Sequence, residues 1–161
     1  MAQSKLTHLD EVGRPRMVDV GGKSITHRTA HARTAVAFPA AAARELAAHD
    51  FSTAKGPVFQ TAIIAGVMAA KRTHELVPFC HPLGLEDCSI EIHMKADEAI
   101  IDCRVSLHAR TGAEMEAMTG ASIAALTVYD MCKSLSKGIV IRDTRLVEKT
   151  GGKSGDWRAA V

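Results

Sequence analysis

Residues 111–133 read T-G-A-E-M-E-A-M-T-G-A-S-I-A-A-L-T-V-Y-D-M-C-K, with charge near both ends and no ionisable group near neutral pH from residue 117 to 129. Met115, Met118, Ser122, Ala125, Leu126, Tyr129 and Cys132 recur at three-and-four spacing, which predicts a buried helix. The neutral run is shorter than the roughly 20 apolar residues that a bilayer span needs, so the helix is expected to pack within a domain or against another subunit.

Working outward from it, Cys88, Ile90, Ile92 and Met94 alternate with Ser89, Glu91, His93 and Lys95. Ile101, Cys103, Val105 and Leu107 then alternate with Asp102, Arg104, Ser106 and His108, and together the two runs predict a β-hairpin with one wet face. After the helix, Ile139, Val140 and Ile141 lead into Arg145, Leu146 and Val147 as a last strand. Ahead of the hairpin the sequence predicts a strand over 34–38 and a helix over 40–48 begun by Pro39. A loop over 51–56 and a second helix, opened by Pro57 and running to Arg72, follow. The order is β-α-α-β-β-α-β. With right-handed connections it gives an α+β domain, an antiparallel sheet with its helices packed on one face, close to the ferredoxin-like split βαβ plan.

A length of 161 residues suits one domain. Residues 1–16, polar and carrying Gly13 and Pro15, are expected to form a flexible arm, and residues 17–161 a single catalytic domain. A net charge of +2, with one Trp, one Tyr and four Phe, argues against general nucleic-acid binding, since little is available to stack on bases. The opening M-A-Q-S-K-L-T-H has no apolar core, so neither a signal peptide nor a membrane anchor is expected, and the protein is expected in the cytoplasm. Cys80, Cys88, Cys103 and Cys132 include no C-x-x-C pair and read as reduced core thiols.

Charged residues stand at both ends of the neutral helix. Asp130 and Lys133, three apart, share a face, and Lys137 continues the row, while Glu114 and Glu116 occupy the other end. Desolvation raises a carboxyl pKa and lowers an amine pKa, and mutual attraction opposes both, so an acid and amine here suit proton transfer. The same spacing suits an ordinary salt bridge. Arg28 has the shape to hold a pair of phosphate oxygens, and Lys55 stands in a loop. Pro78 and Pro82 fix the turn that carries Phe79, Cys80 and His81, where a histidine serves either as an oriented acid or base or as a loop-stabilising partner.

Cys80, His81 and His74 offer metal-ligand types, but H-E-L-V-P lacks the second His of H-E-x-x-H, so no metal site is expected. The tail K-T-G-G-K-S-G-D-W, residues 149–157, is a glycine-rich loop whose Lys149 and Lys153 could close over an anion. It is not a P-loop, because Val147 stands where G-x-x-x-x-G-K-[ST] needs glycine.

Taken together, M-V-D-V at Met17, K-G at Lys55, A-A-K-R-T at Ala69, P-F-C-H-P-L at Pro78, residues 111–133 and the glycine-rich tail resemble the cyclic pyranopterin monophosphate synthase family, the C proteins of molybdenum cofactor biosynthesis. The resemblance covers nearly the whole chain and departs in the alanine-rich helix 40–48, at the turn near Asp97 and at Thr150. It implies a ferredoxin-like subunit in a hexamer, a trimer of dimers, with active sites between subunits. The implied reaction is that of a phosphorus–oxygen lyase: 3′,8-cyclo-7,8-dihydro-GTP becomes cyclic pyranopterin monophosphate and pyrophosphate is released. By the same resemblance Asp130 and Lys133 carry proton traffic. Arg28, Lys55, Lys149 and Lys153 face the phosphates, and Phe79, Cys80, His81, Met115 and Glu116, assisted by Glu114, recognise base and sugar. The order of ring rearrangement and cyclic phosphate formation stays open, as do the role of His81 and the ordering of Lys149 and Lys153 on binding. No resident cofactor is implied, and no carboxylate cluster tells whether Mg²⁺ travels with the triphosphate. The alternative is a non-catalytic nucleotide-binding oligomer of the same fold, in which the cations bind phosphates and Asp130 with Lys133 only joins subunits.

Overall fold

The computed structural model describes residues 12–160, so most of the expected arm, residues 1–11, lies outside the described residues. The chain forms β1 (Thr26–Ala37), α1 (Ala40–Ala48), β2 (Ser52–Thr53), β3 (Gly56–Pro57), α2 (Val58–Lys71), α3 (Thr73–Leu76), β4 (Asp87–Lys95), β5 (Glu98–Ala109), α4 (Glu114–Cys132), β6 (Val140–Ile141), β7 (Arg145–Thr150) and β8 (Trp157–Arg158). The fold is α+β. Its main sheet runs β4-β5-β1-β7-β8 with antiparallel neighbours throughout, and β6 pairs beside β1.

Because β5 lies antiparallel between β1 and β4, those two run parallel. They are joined through α1 and α2 with a strand inserted between them. The same relation holds for β5 and β7 around β1, joined through α4. These two interleaved split β-α-β units are compatible with the ferredoxin-like plan.

Alternation along the strands decides which face is covered. Ala30, Ala32, Thr34 and Val36 of β1 are buried, as are Ile101, Cys103, Val105 and Leu107 of β5, and this face packs under α4. The neutral helix buries Ala117, Ala121, Ala124, Ala125 and Val128, all fully covered. Small residues set its distance from α2. A Cβ on Gly66 of α2 would stand 2.8 Å from the Gly120 carbonyl oxygen, and one on Gly120 would stand 2.7 Å from Cys103 Sγ, so α2, α4 and β5 meet at near backbone contact. Leu126, by contrast, is 53% exposed on the outer side of α4.

Four expectations are corrected. The first strand begins at Thr26 rather than near residue 34, because Thr26, His27, Arg28 and Thr29 pair with Ala109, His108, Leu107 and Ser106 of β5 respectively, a tertiary pairing that local apolarity does not announce. The loop over 51–56 contains the small β2–β3 hairpin. The last strand is two, β6 and β7, interrupted at Arg142, whose N–H donates to the Ala35 carbonyl. The tail is no open loop: β7 reaches Thr150 and β8 folds back on it, while Gly151 N–H donates to Asp156 Oδ1 at 3.0 Å within the turn. Gly151 lies against the carbonyl oxygen of His27, where a Cβ would stand at 2.2 Å, and its φ of 82° is one that glycine adopts freely.

Candidate functional site

The candidate residues form two clusters, one at each end of α4. At the C-terminal end Asp130 is the centre. Lys133 Nζ, one turn along the same helix, donates to Asp130 Oδ1 at 2.6 Å, and Lys55 Nζ donates to Oδ2 at 2.6 Å and to the Asp130 carbonyl at 2.9 Å. Lys55 is delivered by the β2–β3 hairpin. That hairpin is held by Val58 N–H donating to the Phe51 carbonyl and by stacking of Phe51 on Phe59, and Asp50 and Phe51 take left-handed φ values of 49° and 52° to enter it.

This cluster is wet. Asp130, Lys133 and Lys55 are each about half exposed, and the hydrogen bonds from Lys133 and Lys55 hold the Asp130 carboxyl down at about 2. The same bond from Asp130 raises the pKa of Lys133. The expectation of competing desolvation is therefore settled within the single chain in favour of attraction: Asp130 is a carboxylate and Lys133 an ammonium. A cleft of about 340 Å³ opens nearby, lined by Thr53, Ala54 and Ser134, chain neighbours of the two lysines, and by Leu46, His49 and Leu135.

At the N-terminal end, Lys149 of β7 pairs with Glu114 of α4 at 2.9 Å. A β-bulge places it there. Lys149 lies opposite Ala30 and Leu146 opposite Ala32, so the register shift at Val147 lets two residues an odd number apart both face the helices. Arg28, on the same side of β1, donates through Nε to the Ala109 carbonyl at 3.0 Å and through Nη2 to the Arg110 carbonyl at 3.2 Å, while its Nη1 lies where a Cβ on Gly152 would be 2.3 Å away. Arg28 thus braces the strand ends and the glycine turn, and Nη1 is the part of the guanidinium that makes neither bond.

Glu116 is the buried acid of this end, 4% exposed. Burial raises its carboxyl to about 7, with the neighbouring Glu114 charge adding to the rise and a bond from its own backbone N–H opposing it. It occupies the first turn of a helix whose N-cap, Ala113, supplies no side-chain cap. Cys80 lies within electrostatic reach: burial pushes its thiol up and Glu116 pushes it further. Phe79 and Met115 are exposed, His81 is half-buried in the segment that follows α3, and Lys153 stands exposed in the turn between β7 and β8. Among the described residues no three His, Cys, Asp or Glu side chains come together as a metal-ion site, and no helix is long and apolar enough to cross a membrane.

Two features escaped sequence reasoning. Lys55 joins Asp130 and Lys133 through a contact 75 residues away in sequence, which only the fold supplies. The titration of Glu116 near neutrality follows from burial, and the apolar residues around it at Ala113 and Ala117 were the available signal.

Fourteen residues separate Glu116 from Asp130, and at 1.5 Å per residue the two clusters stand about 21 Å apart along one helix.

Comparison with known proteins gives the family. The MoaC family pattern matches residues 17–152. The chain is 57% identical over 151 residues to a cyclic pyranopterin monophosphate synthase of Xanthomonas oryzae, covering 93% of this chain and 92% of the relative. It is 50% identical over 155 residues to another of that name from Novosphingobium aromaticivorans, covering 96% and 98%. A molybdenum cofactor biosynthesis bifunctional protein of Synechocystis is 49% identical over 153 residues, which make up 92% of this chain and 44% of that protein. With a family match over most of its length and relatives at half identity or more across nearly all of theirs, the chain belongs to the MoaC family.

Proposed function

We propose that the chain is an enzyme of molybdenum cofactor biosynthesis that carries out the reaction its relatives are named for, converting 3′,8-cyclo-7,8-dihydro-GTP to cyclic pyranopterin monophosphate and pyrophosphate. The observation that carries this reading is the convergence of Lys55 and Lys133 on Asp130, two lysine amines held 2.6 Å from one carboxylate. When a substrate oxygen attacks the innermost phosphorus, the bond to pyrophosphate breaks and negative charge builds on the leaving group. Fixed cations are most useful against that charge.

Proton traffic accompanies the ring opening and closure. Lys133, kept as an ammonium by Asp130, is the proton donor, with Asp130 orienting it. Glu116, titrating at about 7, both gives and takes protons near neutral pH. Arg28, Lys149 and Lys153 face the phosphates, and the turn of Phe79, Cys80 and His81 with Met115 recognises base and sugar. These steps need no resident cofactor, and running the assay with and without EDTA tests whether Mg²⁺ must arrive on the triphosphate.

Since about 21 Å separates the clusters within a chain, one substrate meets both only if two copies share it. An antiparallel pairing of the α4 outer faces about a two-fold axis near Ile123, midway between Glu116 and Asp130, would set the N-terminal cluster of one copy beside the C-terminal cluster of the next and would cover Leu126. A hexamer built as a trimer of such dimers follows the family resemblance. The test supplies purified protein with the cyclic dihydro-GTP and follows pyrophosphate and oxidisable pterin together. Both signals are expected with the parent chain and neither with Asp130→Asn or Lys133→Ala. Binding of the nucleotide without either product would overturn the enzymatic reading and leave a nucleotide-binding module.

A further inference from the structure

The sheet face turned away from α4 carries a second concentration of cations. Along β1 and its neighbours, Arg33 lies opposite Asp102 on one side and Arg145 on the other, Ala35 lies opposite Ile100, and Ala37 opposite Glu98, which in turn faces Lys95 of β4. These rows frame a cleft of about 470 Å³. Its floor is apolar, formed by Ala35 and Ile100, while Arg33, Arg145, Arg142 and Lys95 stand around it.

Two observations indicate that the cleft is built to meet an anion. First, Arg33 and Arg145 are direct cross-strand partners, and like charges in that position repel. Asp102, 2% exposed, answers Arg33 by accepting two bonds of 2.8 and 3.0 Å, and it also accepts from His31 Nε2 at 2.5 Å. Burial works against the charge on Asp102, but Arg33 and His31 more than offset it and its pKa is lowered, so Arg33 is fixed in place by a carboxylate beneath it. Second, the two carboxylates on the rim are held loosely. Arg145 reaches Asp143 only at 3.7 Å and Arg142 reaches Glu98 at 3.4 Å, both in exposed pairs of the kind that contribute little and exchange readily. Lys95 has no ion pair among the described residues.

The spacing sets the ligand class. From the Arg33 row to the Lys95 row is four residues of strand, about 13 Å, too long for a single phosphate. An extended anion with a flat apolar part fits both the cation spacing and the floor. We propose that this cleft is a second ligand site, for a nucleoside polyphosphate, with phosphates at Arg33, Arg145 and Arg142 and the base over Ala35 and Ile100. It lies across the sheet from both clusters of α4 and does not depend on the proposed reaction.

Equilibrium dialysis of the full chain at low salt against GTP, and separately against pyrophosphate, tests it. The variants are Arg145→Gln with Lys95→Gln, both exposed side chains, and Arg104→Gln as a control on the same face outside the cleft. Lys133→Ala marks the binding that belongs to the α4 clusters. The double variant is expected to lose one class of GTP site, weakening it about tenfold or more, while Arg104→Gln keeps it and Lys133→Ala leaves that class intact. An unchanged isotherm in the double variant would overturn the proposal, and pyrophosphate binding as tightly as GTP would overturn the nucleoside assignment. If the double variant instead changed the mass of the assembly without changing GTP binding, the face would be a contact between copies and the proposal would fall.

Discussion

Lys149 Nζ stands 2.9 Å from Glu114 Oε1, tying the bulged end of β7 to the first turn of α4. The carboxylate lies directly over Gly112, where a Cβ would come within 1.8 Å of Glu114 Oε2. Gly112→Ala is therefore expected to swing Glu114 away and release Lys149. Because the atom in the way is the end of a flexible side chain, the fold yields cheaply, and a partly exposed ion pair contributes at most about 1 kcal/mol. Turnover should fall by roughly tenfold or more while the denaturation midpoint barely moves. An equal loss of stability and activity would show that the glycine serves folding alone.

Asp130 is the shared counter-charge of two lysines, so Asp130→Asn leaves Lys55 and Lys133 facing each other uncompensated. A fall in turnover of about 10² to 10³-fold is expected, as for loss of a fixed electrostatic group. The parent carboxyl sits at about 2, held there by Lys133 first and Lys55 second, so its contribution to stability is present above its ordinary value of 3.8 and disappears only as pH falls through about 2. A rate profile with an acid limb above pH 4 that vanishes in Asp130→Asn would contradict this.

The limb near neutrality should belong to Glu116. Its folded pKa of about 7 lies above the ordinary 4.5, so the native state holds the extra proton. Stability accordingly falls as pH rises from about 4.5 to about 7, then levels off. Glu116→Gln is expected to flatten that dependence, to raise stability above pH 7 by up to about 3 kcal/mol and to remove the neutral limb of the rate profile. Urea titrations of both proteins at pH 5 and pH 8 check the first two effects, and parallel slopes between those pH values would refute them.

What the sequence made legible was whatever repeats locally. The neutral stretch from residue 117 to 129 became the centre of α4, the alternation in β4 and β5 became their hairpin, and Pro39 set the start of α1. What it hid depends on partners far away. Thr26, His27 and Arg28 carry little apolar signal and become strand only because β5 lies alongside. The side of the sheet on which Lys149 emerges is set by one bulge, and counting alternation forward from Leu146 would have put it on the wrong face. The polarity of Asp130 and Lys133 was readable, whereas their exposure was not, because spacing along a helix says nothing about what covers its end.

The crossing of α2 and α4 should tolerate no added carbon. At Gly120 a methyl would meet Cys103 Sγ at 2.7 Å and Ala70 Cβ at 3.3 Å, and at Gly66 it would meet Ile90 Cδ1 at 2.4 Å and a backbone oxygen at 2.8 Å. Alanine's better helix propensity offers up to about 1 kcal/mol in return. Overpacking a closed core costs about 1 to 3 kcal/mol, so a net loss is expected for each variant, larger at Gly66 because the carbonyl of Gly120 cannot turn aside. Thermal melts rank them, and a stabilised Gly66→Ala would mean that the helices separate freely.

A site shared between copies, as proposed, would have a consequence that single variants cannot imitate. Lys133→Ala damages the C-terminal cluster and Lys149→Ala the N-terminal one, which lie at opposite ends of α4. If each site takes one cluster from each copy, a mixed pair carries both lesions in one site and none in the other. Random reassembly of equal amounts makes half the pairs mixed, so about a quarter of the sites become intact, and two inactive preparations should regain about a quarter of parental turnover after being unfolded and refolded together. Mixing without refolding should restore nothing if the pairs exchange slowly. A site contained in one chain gives no recovery under either treatment, and that result would remove the two-copy site while leaving the roles of Lys133 and Lys149 in place.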